Sequence, residues 1–470
     1  MTGQARLTPM RRSAYIEFYE DDRTLYAISL MSLGILAFPR GARRRVESLL
    51  DNPGRLKGSE DGRGLRGLLA SNGFLVQDDE DEVATLRRRH ELSRGTPKAF
   101  SAQIAVTLDC NFRCSYCYET RDSITLTRET EDAIVGRLHR GIPQWKTLSV
   151  IWFGGEPLLE LDIIRRMSAG ILQECDRHGT AYTGHLVTNG YLLDGRVARQ
   201  LADCSVRVVQ ITLDGDASTH DVRRVLPGNR PTYERILENI RETHDRFDVI
   251  IVRVNIEDQP IEAIMHVIED LAAAKDHISL RFSQTNVVSH CIHPRGDHAD
   301  FLRKASALGE RALAEGFRLS TGAKLPGGCF CPAYASNCLL VDARGDVHRC
   351  VADTGRRDRR VGYLTPDGHV QELETAPRYD FDPFRDEDCL SCRVLPLCMG
   401  GCPKFPIDDK SATGRCVVKE NLRATLEQMV RDADGVASPM TVGRAAEGGA
   451  ACTAQRGMME GMRATRDQVR

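Results

Sequence analysis

Cys110-Asn-Phe-Arg-Cys114-Ser-Tyr-Cys117-Tyr118 sets three cysteines in C-x3-C-x2-C spacing directly after a β-rich run, Ile104-Ala-Val-Thr-Leu108. Three thiolates on one short loop suit three irons of a cubane cluster, because Fe–S clusters are held by cysteine thiolates. The usual complement is four. A missing fourth ligand leaves one iron open, and an open coordination position is where a metal site takes a substrate instead of only holding structure. The bland alternatives are a zinc loop short of one ligand, or three buried thiols; the motifs further along weigh against both.

Working outward, the 470 residues suffice for two to four domains. A 41% hydrophobic and 28% charged composition belongs to a globular protein. A net charge of −2 gives no argument for nucleic acid or a membrane surface as partner. No apolar run reaches the roughly 18–20 residues that span a bilayer, and no signal-peptide pattern opens the chain, so the expected location is cytoplasmic. Sixteen cysteines concentrate in the 110–117 loop and between Cys329 and Cys416. Without a secretion signal that density favours metal binding over a disulfide framework. Cys175, Cys204 and Cys291 stand alone and read as ordinary buried thiols.

Residues 1–98 are expected to form a small separate domain with its linker. Ala14–Glu20 and Thr24–Ser29 alternate as a strand pair around an Asp21-Asp22-Arg23 turn. Helices follow at Arg43–Leu50 and Gly64–Asn72, then a strand from Gly73, then a charged helical linker over Asp78–Arg94. From 99 to 325 strands and helices alternate. Strands are expected at Ile104–Leu108, Leu148–Phe153, His185–Thr188, Val206–Leu213, Val249–Ile256 and Ser279–Ser283, with helices between them. That order implies parallel βαβ units, whose chemistry collects at the carboxyl ends of the strands.

The remaining motifs obey that geometry. Gly154-Gly155-Glu156-Pro157 follows the second strand, where paired glycines allow close backbone approach to a ligand. Val187-Thr188-Asn189-Gly190 closes the third. Gln210-Ile-Thr212-Leu-Asp214-Gly215 ends the fourth, followed by His220-Asp221-Val-Arg-Arg224, and Arg253-Val-Asn255 turns polar groups into the barrel. A guanidinium fork matches a carboxylate bidentately, which suits Arg224 to that task against the plainer possibility of a surface ion pair.

The cysteine loop followed by Gly154-Gly155-Glu156-Pro157 resembles the radical S-adenosyl-L-methionine (SAM) enzymes. That resemblance implies an α/β fold built on a partial (βα)6 barrel, with a [4Fe-4S] cluster on Cys110, Cys114 and Cys117 whose open iron chelates SAM. It further implies SAM contacts from Gly154, Gly155 and Glu156 to the ammonium, Thr188 and Asn189 to the ribose, Thr212 and Arg224 to the carboxylate, and Asn255 alongside. Of Tyr116 and Tyr118, Tyr116 is preferred to pack the adenine. The order of elements in 1–98 resembles the winged-helix-like domain that holds a precursor-peptide leader in peptide-modifying relatives; a lid with no ligand is the alternative.

Over 326–425, Cys389-Leu-Ser-Cys392-(x5)-Cys398-Met-Gly-Gly-Cys402 follows Cys331, Gly345 and Cys350, with Ala343-Arg-Gly-Asp346 reading as a hairpin turn. The combination resembles the SPASM extension, which implies two auxiliary [4Fe-4S] clusters. Cys389, Cys392, Cys398 and Cys416 would hold one. Cys402 would cross over to join Cys350, Cys331 and Cys338, with Cys329 an open alternative to Cys338. Two structural zinc sites are the competing possibility. Residues 426–470 are expected to be a flexible tail, and Arg356–Arg360 a solvated basic run.

The function so implied is oxidative modification of a ribosomally made peptide. The 5′-deoxyadenosyl radical would abstract hydrogen, most often en route to a thioether or other crosslink, and electrons would come from a flavodoxin- or ferredoxin-type donor. A formylglycine-generating anaerobic sulfatase-maturing enzyme is the first alternative. Relatives of that kind carry an aspartate directly after the cysteine matching Cys350, whereas Val351 stands here and Asp353 is the nearest carboxylate. A non-catalytic Fe–S or zinc scaffold that only binds peptide is the second.

Overall fold

The computed structural model describes residues 9–57, 60–119, 121–287, 290–294, 297–320, 326, 328, 331–379, 381–404 and 416–434. The chain opens with β1 (Met10–Arg12), β2 (Ile16–Glu20), β3 (Thr24–Ser29), β4 (Ile35–Pro39), α1 (Arg43–Asp51), α2 (Glu60–Ser71), β5 (Leu75–Gln77) and α3 (Glu82–Ser93). β2, β3 and β4 form an antiparallel sheet, and β1 pairs with β5. The β2–β3 turn closes where expected, because the Asp21 carboxylate accepts from the backbone N–H of Arg23 and Thr24 at 2.8 and 2.7 Å. The third strand, β4, is an addition to the expected pair.

The central part alternates as the sequence predicts: β6 (Ala99–Thr107), α4 (Arg128–Gly141), β7 (Thr147–Gly154), α5 (Leu161–His178), β8 (Ala181–Thr188), α6 (Gly195–Asp203), β9 (Val206–Thr212), α7 (Ala217–Arg223), α8 (Tyr233–Thr243), β10 (Val249–Ile256), α9 (Ile261–Asp270) and β11 (Ile278–Gln284). β6 to β11 are parallel and adjacent in chain order, the arrangement of an open (βα)6 barrel. Alternate residues such as Ile104, Val150, Trp152, Val252 and Val254 are buried in the core that includes the helices. The intervening side chains face the other side of the sheet. Cys175 and Cys204 are buried in that core, as expected of unligated thiols.

The sheet does not stop at six strands. After β12 (Asn286–Val287), β13 (His290–Pro294) and α10 (His298–Ala314), the strand β14 (Arg318–Leu319) adds to β11. At the opposite edge β15 (Cys338–Val341) pairs in parallel with β6, and β16 (Asp346–His348), β17 (Gly362–Leu364) and β18 (Val370–Glu372) continue antiparallel. The cysteine-rich part is therefore stitched to the barrel through an 11-stranded sheet. The Ala343–Asp346 hairpin forms as expected, with Gly345 at φ +81 and its N–H donating to the Asp342 carbonyl.

The last segments are α11 (Glu387–Leu390), α12 (Leu395–Cys398), α13 (Val417–Glu420) and α14 (Leu422–Asp434). Two expectations need correction here. α14 runs through residues 426–434 and buries Leu426 and Val430, so the ordered chain extends past the predicted start of the tail. Nor is Arg356–Arg360 a free basic run: Arg360 and Arg357 pair with Asp346, and Arg356 with Asp358. α3 is more than a tether. Its Leu86 shares a core with Ile28 and Leu30 of the N-terminal sheet, with Val394 and Leu395, and with α14.

Candidate active site

The three-cysteine loop leaves β6 and is clasped by backbone hydrogen bonds, Arg113 N–H to the Val225 carbonyl at 2.7 Å and Ser115 N–H to Arg223 at 3.0 Å. Cys110, Cys114 and Cys117 are all half-buried on this loop. Burial, reinforced by the charge of Glu156, pushes the Cys110 thiol up to about 12. Burial and Glu119 push Cys117 up to about 11. Such thiols stay protonated by themselves and are deprotonated by a bound metal.

Behind the loop runs the turn after β7. Gly154 has φ +132, and a Cβ there would lie 2.2 Å from the Thr107 carbonyl oxygen; one on Gly155 would lie 2.1 Å from that of Asp109. Only glycines let the two strand ends lie this close. Glu156 is wholly buried. Its carboxylate accepts from Leu158 N–H (3.0 Å), the Thr188 hydroxyl (2.7 Å) and Asn189 N–H (2.8 Å). Asn189 in turn donates to the Asn111 side chain within the cysteine loop at 2.7 Å. Glu156, Thr188 and Asn189 are thus brought together, with the Glu156 carboxylate tying the ends of β7 and β8.

A second knot joins the loop to β9, α7 and β10. The Tyr116 hydroxyl donates to Asp214 at 2.5 Å, and accepts from Arg224 at 2.7 Å and Asn255 at 3.1 Å. Asp214, also fully buried, accepts from Asn255 at 3.2 Å and pairs with Arg223, whose other arm meets Glu257 at 2.8 Å. The ring of Tyr116 lies under the Arg223 guanidinium. Arg224 is buried, so the surface ion pair weighed for it is not formed. Burial opposes its charge, yet Cys114, Tyr116 and Asp214 around it hold its pKa well above the usual value. Nε of Arg224 and one Nη of Arg223 are buried without a hydrogen-bond partner among the described residues. Thr212, half-buried, ends β9 in register with Arg253. The sequence reading passed over Asp214, Arg223 and Glu257; Asp214 lay inside a quoted motif, but only the fold shows the charge beside Arg224.

In the cysteine-rich part, Cys389, Cys392, Cys398 and Cys416 line one cavity of about 240 Å³, with Leu395, Gly400 and Lys419. No three His, Cys, Asp or Glu side chains among the described residues converge on a single point able to hold one metal ion. Cys331, Cys338, Cys350 and Cys402 lie half-buried on separate segments, with Cys338 starting β15 beside Ser101. Cys329 and Cys452 lie outside the described residues. Asp353, three residues after Cys350, is fully buried and accepts from Lys404 Nζ at 2.6 Å and from the Tyr379 hydroxyl.

Residues 104–271 match the family model described as the radical SAM superfamily. This segment of the chain is a radical SAM domain. Among curated relatives, the serine-type anaerobic sulfatase-maturating enzyme of Klebsiella aerogenes is 21% identical, over 63% of this chain and 77% of its own. The mycofactocin maturase MftC of Mycobacterium ulcerans is 27% identical, over 63% and 81%. Among solved structures, anSMEcpe with bound AdoMet superposes with a TM-score of 0.54 at 16% identity, covering 72% of this chain and all of that one. Streptococcus suis SuiB bound to precursor peptide SuiA gives 0.51 at 15%, covering 86% and 97%. These two show the fold.

Proposed function

We propose that this enzyme matures a ribosomally synthesised peptide, abstracting hydrogen from an unactivated carbon and closing a crosslink, a thioether foremost. The observation that carries the reading is the pairing of the clasped three-thiol loop with the unsatisfied, buried Nε of Arg224. A thiolate-only donor set of three fits a cluster with one open iron. A buried guanidinium whose Nε is left without a partner among the described residues fits the carboxylate of SAM. The residues present therefore fit the cofactor pair, which when bound would supply one-electron reductive cleavage of SAM and, through the radical released, hydrogen abstraction from the substrate.

In that site Cys110, Cys114 and Cys117 would hold the cluster, and the glycine turn would bring backbone up to the methionine end of SAM. Arg224 would take the carboxylate, Thr188 and Asn189 the ribose, and Tyr116, which holds Arg224 from Asp214, the adenine. Thr212 and Asn255 complete the polar wall. Cys389, Cys392, Cys398 and Cys416 are assigned to one auxiliary [4Fe-4S] cluster; Cys331, Cys338, Cys350 and Cys402 to a second. The sheet of β2 to β4 is assigned to the leader of the precursor, and the reductant to a flavodoxin- or ferredoxin-type protein in a reducing, cytoplasmic setting. The relatives named as maturases and the peptide seen in SuiB support a peptide substrate.

Formylglycine formation is the second reading, supported by the sulfatase-maturating relatives. Against it, Val351 follows Cys350, and Asp353 is engaged by Lys404 and Tyr379 and buried. The test is mass spectrometry of peptides encoded beside the gene, co-expressed with the enzyme anaerobically in heavy water. Loss of two hydrogens without carbon-bound deuterium supports crosslinking. An unmodified peptide, with intact clusters and a sulfatase cysteine or serine converted instead, supports the second reading.

A further inference from the structure

On β10, Ile250, Val252, Val254 and Ile256 pack in the helix-side core, so Ile251, Arg253 and Asn255 occupy the opposite, concave face. On β11, Ile278 and Leu280 are in the same core, which places Ser279, Arg281 and Ser283 on the concave face. Arg253 and Arg281 are register partners on adjacent parallel strands, whose spacing is about 4.8 Å. Two guanidiniums therefore stand side by side in the barrel lumen. Like charges so placed repel, and burial together with Arg253 lowers the pKa of Arg281.

No carboxylate among the described residues forms a salt bridge with either one. Among the described residues the Arg281 arms meet only neutral oxygens, Gln210 Oε1 at 3.4 Å and Ser320 Oγ at 2.8 Å, and Arg253 Nε donates to Asn255 Oδ1 at 2.9 Å. Asn255 is itself bonded to Tyr116 and Asp214. The backbone of the arginine pair thus lies one pleat, about 7 Å, from the Asn255 position, and Arg253 touches the knot through Asn255 itself. A half-buried cationic pair held by neutral acceptors, in the lumen and beside the reacting centre, lacks its anion.

We infer that Arg253 and Arg281 form a carboxylate-binding pair that selects an acidic group on the substrate and holds it under the reacting carbon. This rests on the peptide reading of the site. The carboxylate has two possible sources, an Asp or Glu side chain or a peptide C-terminus.

The test uses full-length, anaerobically reconstituted protein saturated with SAM. It is titrated with three short synthetic peptide libraries: central Glu with an amidated C-terminus, central Gln with an amidated C-terminus, and central Gln with a free C-terminus. One of the two carboxylate-bearing libraries is expected to bind about tenfold more tightly than the neutral one, as one well-placed charged contact provides. Which of them does so names the source. Arg281→Gln and Arg253→Gln should each abolish the preference; Arg281→Gln, which removes bonds only to Gln210 and Ser320, should leave SAM affinity, read by equilibrium dialysis, within about twofold, while Arg281→Lys keeps part of the preference.

Equal binding of all three libraries overturns the inference, as does a preference that survives both glutamine variants. Loss of SAM affinity in Arg281→Gln also overturns it, by assigning the pair to the cofactor. If no library binds wild-type protein at all, the peptide reading itself has failed and the inference falls with it.

Discussion

Asp214 shows how single residues here act through their neighbours. Its buried carboxylate holds the Tyr116 hydroxyl, which holds one arm of Arg224 and leaves Nε free for a ligand. Arg224→Lys keeps the charge but loses the fork, so SAM affinity measured by equilibrium dialysis should fall about tenfold or more. His220 supports the same segment: buried, it bonds Thr232 through Nε2 and lies 3.3 Å from Asp214 N–H through Nδ1. Burial, with Arg224 and Arg223 nearby, holds its pKa well below 6.5. The unfolded chain then binds a proton that the folded chain refuses, so stability present above about pH 6.5 is lost as pH falls, at up to about 1.4 kcal/mol per unit. Thermal melts between pH 7.5 and 5.5 should show that slope in the wild type and less of it in His220→Asn. Lys404 is the third case. Lys404→Met strands the Asp353 charge and should cost about 3–5 kcal/mol in urea unfolding, while Lys404→Met with Asp353→Leu should recover most of it.

Among the elements, the turn between β7 and the helix after it is the most constrained. The ends of β6 and β7 approach so closely that a Cβ on Gly155 would meet the Asp109 carbonyl at 2.1 Å. Backbone cannot yield there without moving the cysteine loop, since Glu156 N–H donates to that same carbonyl at 2.8 Å. Gly155→Ala should therefore displace the loop, lower iron bound to the three-cysteine site, and destabilise the fold by about 1–3 kcal/mol. Iron content of a variant with the C-terminal cysteines changed to alanine isolates the effect. The strands and helices of the barrel were legible because each buries one face, so apolar residues recur at period two or 3.6. β15 to β18 were not: three- and four-residue strands carry too few positions for a period, and their pairing partners lie far off in sequence.

Across the whole molecule, α14 joins parts that the sequence keeps apart. Leu426 and Val430 share a core with Leu30 of the N-terminal sheet and with Val394 and Leu395 beside the four-cysteine cavity. Leu426→Ala should cost about 2–4 kcal/mol, and limited proteolysis should then cut earlier both near α3 and in the cysteine-rich part. The sequence by itself determined the radical SAM domain and the alternation of the barrel, because motif spacing on one loop and burial periodicity are local properties of a chain. Tertiary structure alone decided three things. It placed Asp214 behind Arg224, set Arg253 beside Arg281 in the lumen, and ran the barrel sheet on into the cysteine-rich region. The first depends on how the turn of α7 folds back onto the end of β9, and the other two on the register between neighbouring strands, which is set by the packing of whole faces rather than by any one segment.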